Sequence, residues 1–68
     1  MTTHWNTDTK ENENVPKVDA FLADLEALYE KHGLSISHED GHGAFIIEPF
    51  DAHNIQWMRD AMTKGLTP

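Results

Sequence analysis

The sequence predicts a small α+β domain of order α-β-β-α, with two helices packed on one face of a β-hairpin behind a polar N-terminal tail. Three observations carry that expectation. Val18, Phe21, Leu22, Leu25, Leu28 and Tyr29 fall at helical spacing between Pro16 and Gly33. Two strand-like runs, Leu34 to Ser37 and Ala44 to Glu48, flank the pair Asp40-Gly41, a strong short-range hairpin signal. A second helical run opens at Asp51 and places Ile55, Met58 and Met62 on one stripe.

Residues 1–14 hold only Met1 and Trp5 as large apolar side chains, among Thr, Asn, Asp, Glu and Lys without helical or strand period. Such a segment has no apolar burial to offset its ordering entropy, so it is expected to be a disordered tail that Trp5 alone could anchor. The single domain is expected over 15–68. Its first helix starts near Val15-Pro16, because proline is tolerated in a first turn where its missing N–H costs nothing. Lys31 and His32 suit the negative end of the helix dipole, and Gly33 suits a left-handed cap over which Leu34 folds back toward Tyr29.

Reading Asp40 and Gly41 as the two central residues of a type I′ turn pairs Glu39 with His42, His38 with Gly43, Ile36 with Phe45 and Leu34 with Ile47. Leu34, Ile36, Phe45 and Ile47 then share the core face. Ser35, Ser37, Glu39, His42, Ala44, Ile46 and Glu48 share the outer one. Pro49 ends the strand. The second helix is expected to open with Asp51 as N-cap and a hydrophobic staple between Phe50 and Ile55, and to end at Gly65.

At 68 residues the chain buries little surface, and small domains commonly draw stability from disulfides, metals or partners. There is no cysteine, which removes disulfides and thiolate zinc sites and fits a reducing compartment. The formal charge of −7, from 12 acidic and 5 basic side chains, opposes direct binding to nucleic acid or anionic membranes and favours basic partners. No stretch approaches the ~20 apolar residues of a membrane span, and no basic region precedes an apolar run, so a cytoplasmic protein is expected.

Candidate chemistry is sparse. His38 and His42, with Glu39 and Asp40 between them, have a spacing that would share a face on a helix, but across a hairpin turn they point to opposite sides. No metal site and no cofactor are expected. No nucleophile elbow, phosphate loop or zinc-protease motif occurs, and a hairpin with two helices offers little concave volume, so no enzymatic activity is expected. Asp19, Glu26 and Glu30 recur at steps of seven and four along the first helix, an acidic stripe that a partner could read. Ala44 and Ile46, with Ser35 and Ser37, make a flat outer hairpin face beside two unpaired strand edges, which points to pairing with a second chain as a C2 homodimer.

The run from Lys31-His32-Gly33-Leu34-Ser35-Ile36 through His38-Glu39-Asp40-Gly41-His42-Gly43-Ala44-Phe45 to Asn54-Ile55-Gln56-Trp57-Met58 resembles small uncharacterised proteins of tailed bacteriophages. The resemblance spans residues 31–58 and brings no functional residues with it. It implies an accessory protein made in the cytoplasm of an infected bacterium that binds and modulates a host or phage macromolecule without catalysis. Candidate partner-binding residues are Asp19, Glu26, Glu30, Glu39, His42, Ala44 and Ile46, with Asp40 and Gly41 defining the turn. Two other classes stay open: a small-ligand or metal-binding module built on the histidine turn of two associated chains, and a structural subunit of a phage particle.

Overall fold

The computed structural model of the chain describes residues 3–66. Its elements are β1 (Thr3–Asn6), β2 (Glu11–Asn14), α1 (Pro16–His32), β3 (Leu34–His38), β4 (Phe45–Pro49) and α2 (Ala52–Arg59). The class is α+β as expected, but the order is β-β-α-β-β-α, because the segment read as a disordered tail contains an antiparallel hairpin. Its register runs from Thr3 opposite Asn14 to Asn6 opposite Glu11. Met1 and Thr2, the start of the expected tail, lie outside the described residues.

Hydrogen bonds supply the order that apolar burial could not. Asn6 Oδ1 accepts from the amides of Asp8 at 2.8 Å and Thr9 at 3.3 Å, and the Lys10 amide donates to Asn6 O at 2.7 Å. Glu13 accepts from the Asn6 side-chain amide and the Thr9 hydroxyl, each at 3.0 Å. The chain beyond α2 then returns along β1. The Thr63 amide donates to Trp5 O and the Thr7 amide to Thr63 O, both at 2.9 Å, forming a parallel bridge between Asn6 and Thr63.

That return corrects the second helix as well. It ends at Arg59 rather than continuing to Gly65, and Met62, expected in its buried stripe, is exposed. Continuing the helix would draw Thr63 into its own turn; stopping lets Thr63 satisfy polar groups on the edge of β1. The start of α2 is as expected: the Asp51 side chain accepts from the His53 amide at 2.9 Å, and Ile55 is buried. That amide and the His53 ring hold the Asp51 carboxyl below its ordinary range.

The first helix keeps its expected bounds. Val15 is the extended cap residue, Pro16 opens the helix, and Gly33 closes it at φ 66°, donating its amide to Tyr29 O. Its apolar stripe is only partly covered: Leu22 and Tyr29 are buried, while Phe21 and Leu28 are exposed.

The β3–β4 hairpin is shifted by two residues from the expected pairing, with Ile36 opposite Ile47 and His38 opposite Phe45. The Glu39 amide donates to Ala44 O at 2.7 Å and the Gly43 amide to Glu39 O at 3.0 Å. The loop is therefore Asp40-Gly41-His42-Gly43, and its left-handed residue is Gly43 at φ 71°, not Asp40 or Gly41. A shift of two preserves which side chains share a face. What changes is the use of the faces.

Ser35, expected outside, is 1% exposed. Asn54 of α2 donates to Ser35 Oγ at 2.8 Å and to Glu48 Oε1 at 3.1 Å, while Ser37 donates to Glu48 Oε2 at 3.0 Å. Phe45 and Ile47, expected in the core, remain 69% and 63% exposed. A polar cross-link to α2 thus occupies the hairpin side that the hydrophobic pattern had assigned to solvent.

The core is correspondingly thin: among the described residues Leu22, Tyr29 and Ile55 are the buried apolar side chains. The radius of gyration, 13.0 Å, exceeds the roughly 11 Å expected for a compact chain of this length. The chain extends 35 × 28 × 17 Å and exposes 5057 Å². Size scaling predicts about 4,300 Å², a surplus of roughly 700 Å².

Candidate protein-docking face

Several of the uncovered apolar residues line two open recesses. Leu25 and Leu28 of α1 face Leu34, Ile36 and Ile47 across an open groove of about 170 Å³ that also borders Tyr29 and His32. Beyond it, Phe45 joins Trp57, Met58 and Met62 around a second recess of about 300 Å³. His38 lies between: its ring meets Phe45 edge-on at 5.6 Å and Trp57 at 6.0 Å. Small-molecule sites usually measure ~300–1,000 Å³ and enclose their ligands with a few convergent polar groups. These shallow, apolar recesses suit protruding side chains of a protein partner better.

The acidic stripe expected on α1 is not presented as one surface. Asp19 turns toward β1, where its Oδ1 lies 3.7 Å from Nε2 of His4, a side chain fully enclosed by the fold. His4 Nδ1 is 2.7 Å from the carbonyl of Ala61, which can only accept, so this nitrogen carries a proton. Glu26 pairs with Arg59 of α2. Glu30 stays exposed. Two of the three carboxylates therefore join elements of the fold together, and spacing along a helix could not reveal that.

Glu39 and His42 do come together, but within the loop. Glu39 accepts from the amides of Gly41 at 2.7 Å and His42 at 2.6 Å, and from the His42 ring at 3.0 Å. The two amides hold its carboxyl below the ordinary glutamate range, with partial desolvation opposing them. His38 instead contacts Asp40, at 3.3 Å. Ala44 and Ile46 are exposed beside the loop. Among the described residues, no group of three or more His, Asp or Glu side chains is gathered as a metal would require.

Sequence reasoning missed His4, the best-enclosed side chain of the first hairpin, because no apolar period surrounds it. A signal was present in Asn6-Thr7-Asp8-Thr9, a run of residues whose side chains bond to nearby amides and form turns. Hydrophobic period assigns Phe45 and Met62 to the interior rather than to a docking face.

Comparison with protein families, curated proteins and solved structures returns no match to this chain. Among the described residues, no helix is long and apolar enough to cross a membrane.

Proposed function

We propose that this chain is a non-enzymatic accessory protein of phage type that binds and modulates a host or phage protein through the apolar face running from Leu28 to Met62. The supporting observation is the exposure of Phe45 and Ile47 between two apolar recesses, in a chain whose formal charge of −7 would otherwise favour a polar surface. Apolar surface of this extent on a small protein marks an interaction site. Asp60, which lines the second recess, and the formal charge of −7 favour a partner with basic residues flanking an apolar anchor.

Affinity capture from bacterial lysate, comparing variants side by side, tests the reading. Leu28→Glu and Trp57→Glu should lose the proteins retained by wild type, because each places a charge in a recess. Glu30→Gln should retain them. Equal capture by all variants, or loss on Glu30→Gln alone, would overturn the apolar face as the docking surface and return the acidic helix to consideration.

A further inference from the structure

We propose that the outer edge of β4 pairs with β4 of a second copy of this chain, antiparallel about a two-fold axis at Ile46, forming a four-stranded sheet across the dimer. The edge is open because, among the described residues, β3 is the one strand that pairs with β4. The direction of its backbone groups follows from the ends of the hairpin. Glu39 bonds to Ala44 and Phe50 to Gly33, so alternate residues 44, 46, 48 and 50 turn their amides and carbonyls toward β3. Phe45 and Ile47 turn theirs outward.

The register centred on Ile46 sets Phe45 opposite Ile47 of the second copy and makes four hydrogen bonds, which use every outward N–H and C=O of these two residues. Centring on Ile47 instead leaves the Phe45 carbonyl unpaired and requires the Pro49 carbonyl, which already accepts from Ser35 Oγ at 3.0 Å. Centring on Phe45 requires the Gly43 amide, already bonded to Glu39. Self-pairing therefore has one register in which nothing is left over.

Charge and area agree with that occupant. The Ile46-centred register places Ala44 opposite Glu48, so no carboxylate faces another in the strand pair despite the acidity of the chain. Phe45 of each copy covers Ile47 of the other. The chain exposes roughly 700 Å² more than size scaling predicts, an excess of surface that association with a second copy would reduce. Edge strands with no charge, proline or bulge at their centre are ready to pair, and Phe45-Ile46-Ile47 has none.

Sedimentation equilibrium over about one to a few hundred micromolar, with amide hydrogen exchange at each end of that range, tests this pairing whatever other protein docks. A dimer should form, and exchange at Phe45 and Ile47 should slow by roughly tenfold or more with concentration while Ile46 and Glu48 change little. Ile46→Lys and Ile46→Glu should each be monomeric, and mixing them should restore a heterodimer through a Lys–Glu pair at the axis. A wild type that stays monomeric, or a dimer whose Phe45 and Ile47 amides exchange independently of concentration, overturns the proposal. So does failure of folded, monomeric variants to associate on mixing. If a variant does not fold, the exchange measurement on wild type still decides.

Discussion

The two hairpins turn in the same way and are held in place in opposite ways. Each closes a four-residue loop, Thr7–Lys10 in one and Asp40–Gly43 in the other, with the last loop amide donating to the carbonyl of the residue before the loop. In each, that residue's side chain accepts from the second and third loop amides: Asn6 in the first hairpin, Glu39 in the second. Each ends with a left-handed residue, Lys10 at φ 58° and Gly43 at φ 71°. Around these matching turns the packing diverges. The first hairpin is polar in sequence, yet it buries Asn6 and encloses His4 between Asp19 of α1 and Ala61 of the returning C-terminal segment. The second is apolar in sequence, yet it leaves Phe45 and Ile47 uncovered.

What separates them is whether the chain supplies its own edge partner. β1 has β2 on one side and Thr63 on the other, so its backbone is paired from both directions. β4 has only β3. A polar strand can therefore be the better integrated one when hydrogen-bonding partners are fixed by neighbouring elements, and an apolar strand can remain at the surface when they are not.

The largest expected effect comes from breaking the first hairpin's anchor. His4→Ala would remove the donor to the Ala61 carbonyl, leave Asp19 facing a cavity and loosen the pairing of Thr63 with β1. Loss of a buried hydrogen-bonded group with its packing costs about 2–4 kcal/mol, measurable by chemical denaturation. Removing residues 1–14 should lower the thermal midpoint in the same direction. A neutral result for both would mean that residues 3–14 contribute nothing to the domain and that the two hairpins do not differ as described.

How much of this was legible in the sequence depends on where the determining partner lies. Pro16 and Gly33 act locally, and both ends of α1 could be read from them. Asp51 likewise marked the start of α2. Asp40-Gly41 correctly placed a hairpin but gave a loop two residues too short, because Glu39, which braces the longer loop through two amides, lies outside that dipeptide. The N-terminal hairpin and the early end of α2 depend on contacts between residues near 5 and residues near 63, more than fifty positions apart. Hydrophobic period carries no information about such polar pairings. It also misassigned the hairpin faces, since Asn54, an unremarkable helix residue in sequence, binds Ser35 and Glu48. Of the candidate acidic stripe, only Glu30 remains exposed as expected; Asp19 and Glu26 are recruited by His4 and Arg59.

A smaller effect should come from exchanging the left-handed residues of the matching turns. Lys10 carries a side chain in a conformation that glycine adopts more readily, so Lys10→Gly is expected to stabilise by up to about 1 kcal/mol, less the entropy glycine adds to the unfolded chain. Gly43→Ala should destabilise by about 1 kcal/mol, a cost of backbone conformation alone, because an added Cβ there meets nothing within 4 Å. Opposite signs in paired denaturation curves would support a common turn geometry. The same sign for both would show that the two loops differ in the state that folds.

The smallest and most local difference lies in the two bracing side chains, one of which can gain a proton. The Glu39 carboxyl is held below its ordinary value of 4.5, first by the Gly41 and His42 amides and further by the His42 side chain. A carboxylate depressed in the folded state binds fewer protons there than in the unfolded chain, so its contribution is present above the ordinary value and is lost as pH falls through the lower folded one. Asn6, bonding Asp8 and Thr9 through a neutral amide, has no such proton to gain. Acidification below the ordinary glutamate range should therefore move the Gly41 and His42 amide resonances together, with the bracing bonds to Asp8 and Thr9 retained. Glu39→Gln should remove that acid response. Gly41→Ala offers a second route to the same end, since its Cβ would lie 2.8 Å from Glu39 Oε1 and push the flexible carboxylate away from the amides. Resonances of Gly41 and His42 that respond to acid equally in wild type and Glu39→Gln would show that a different group braces the loop, and the likeness between the two turns would then rest on backbone geometry alone.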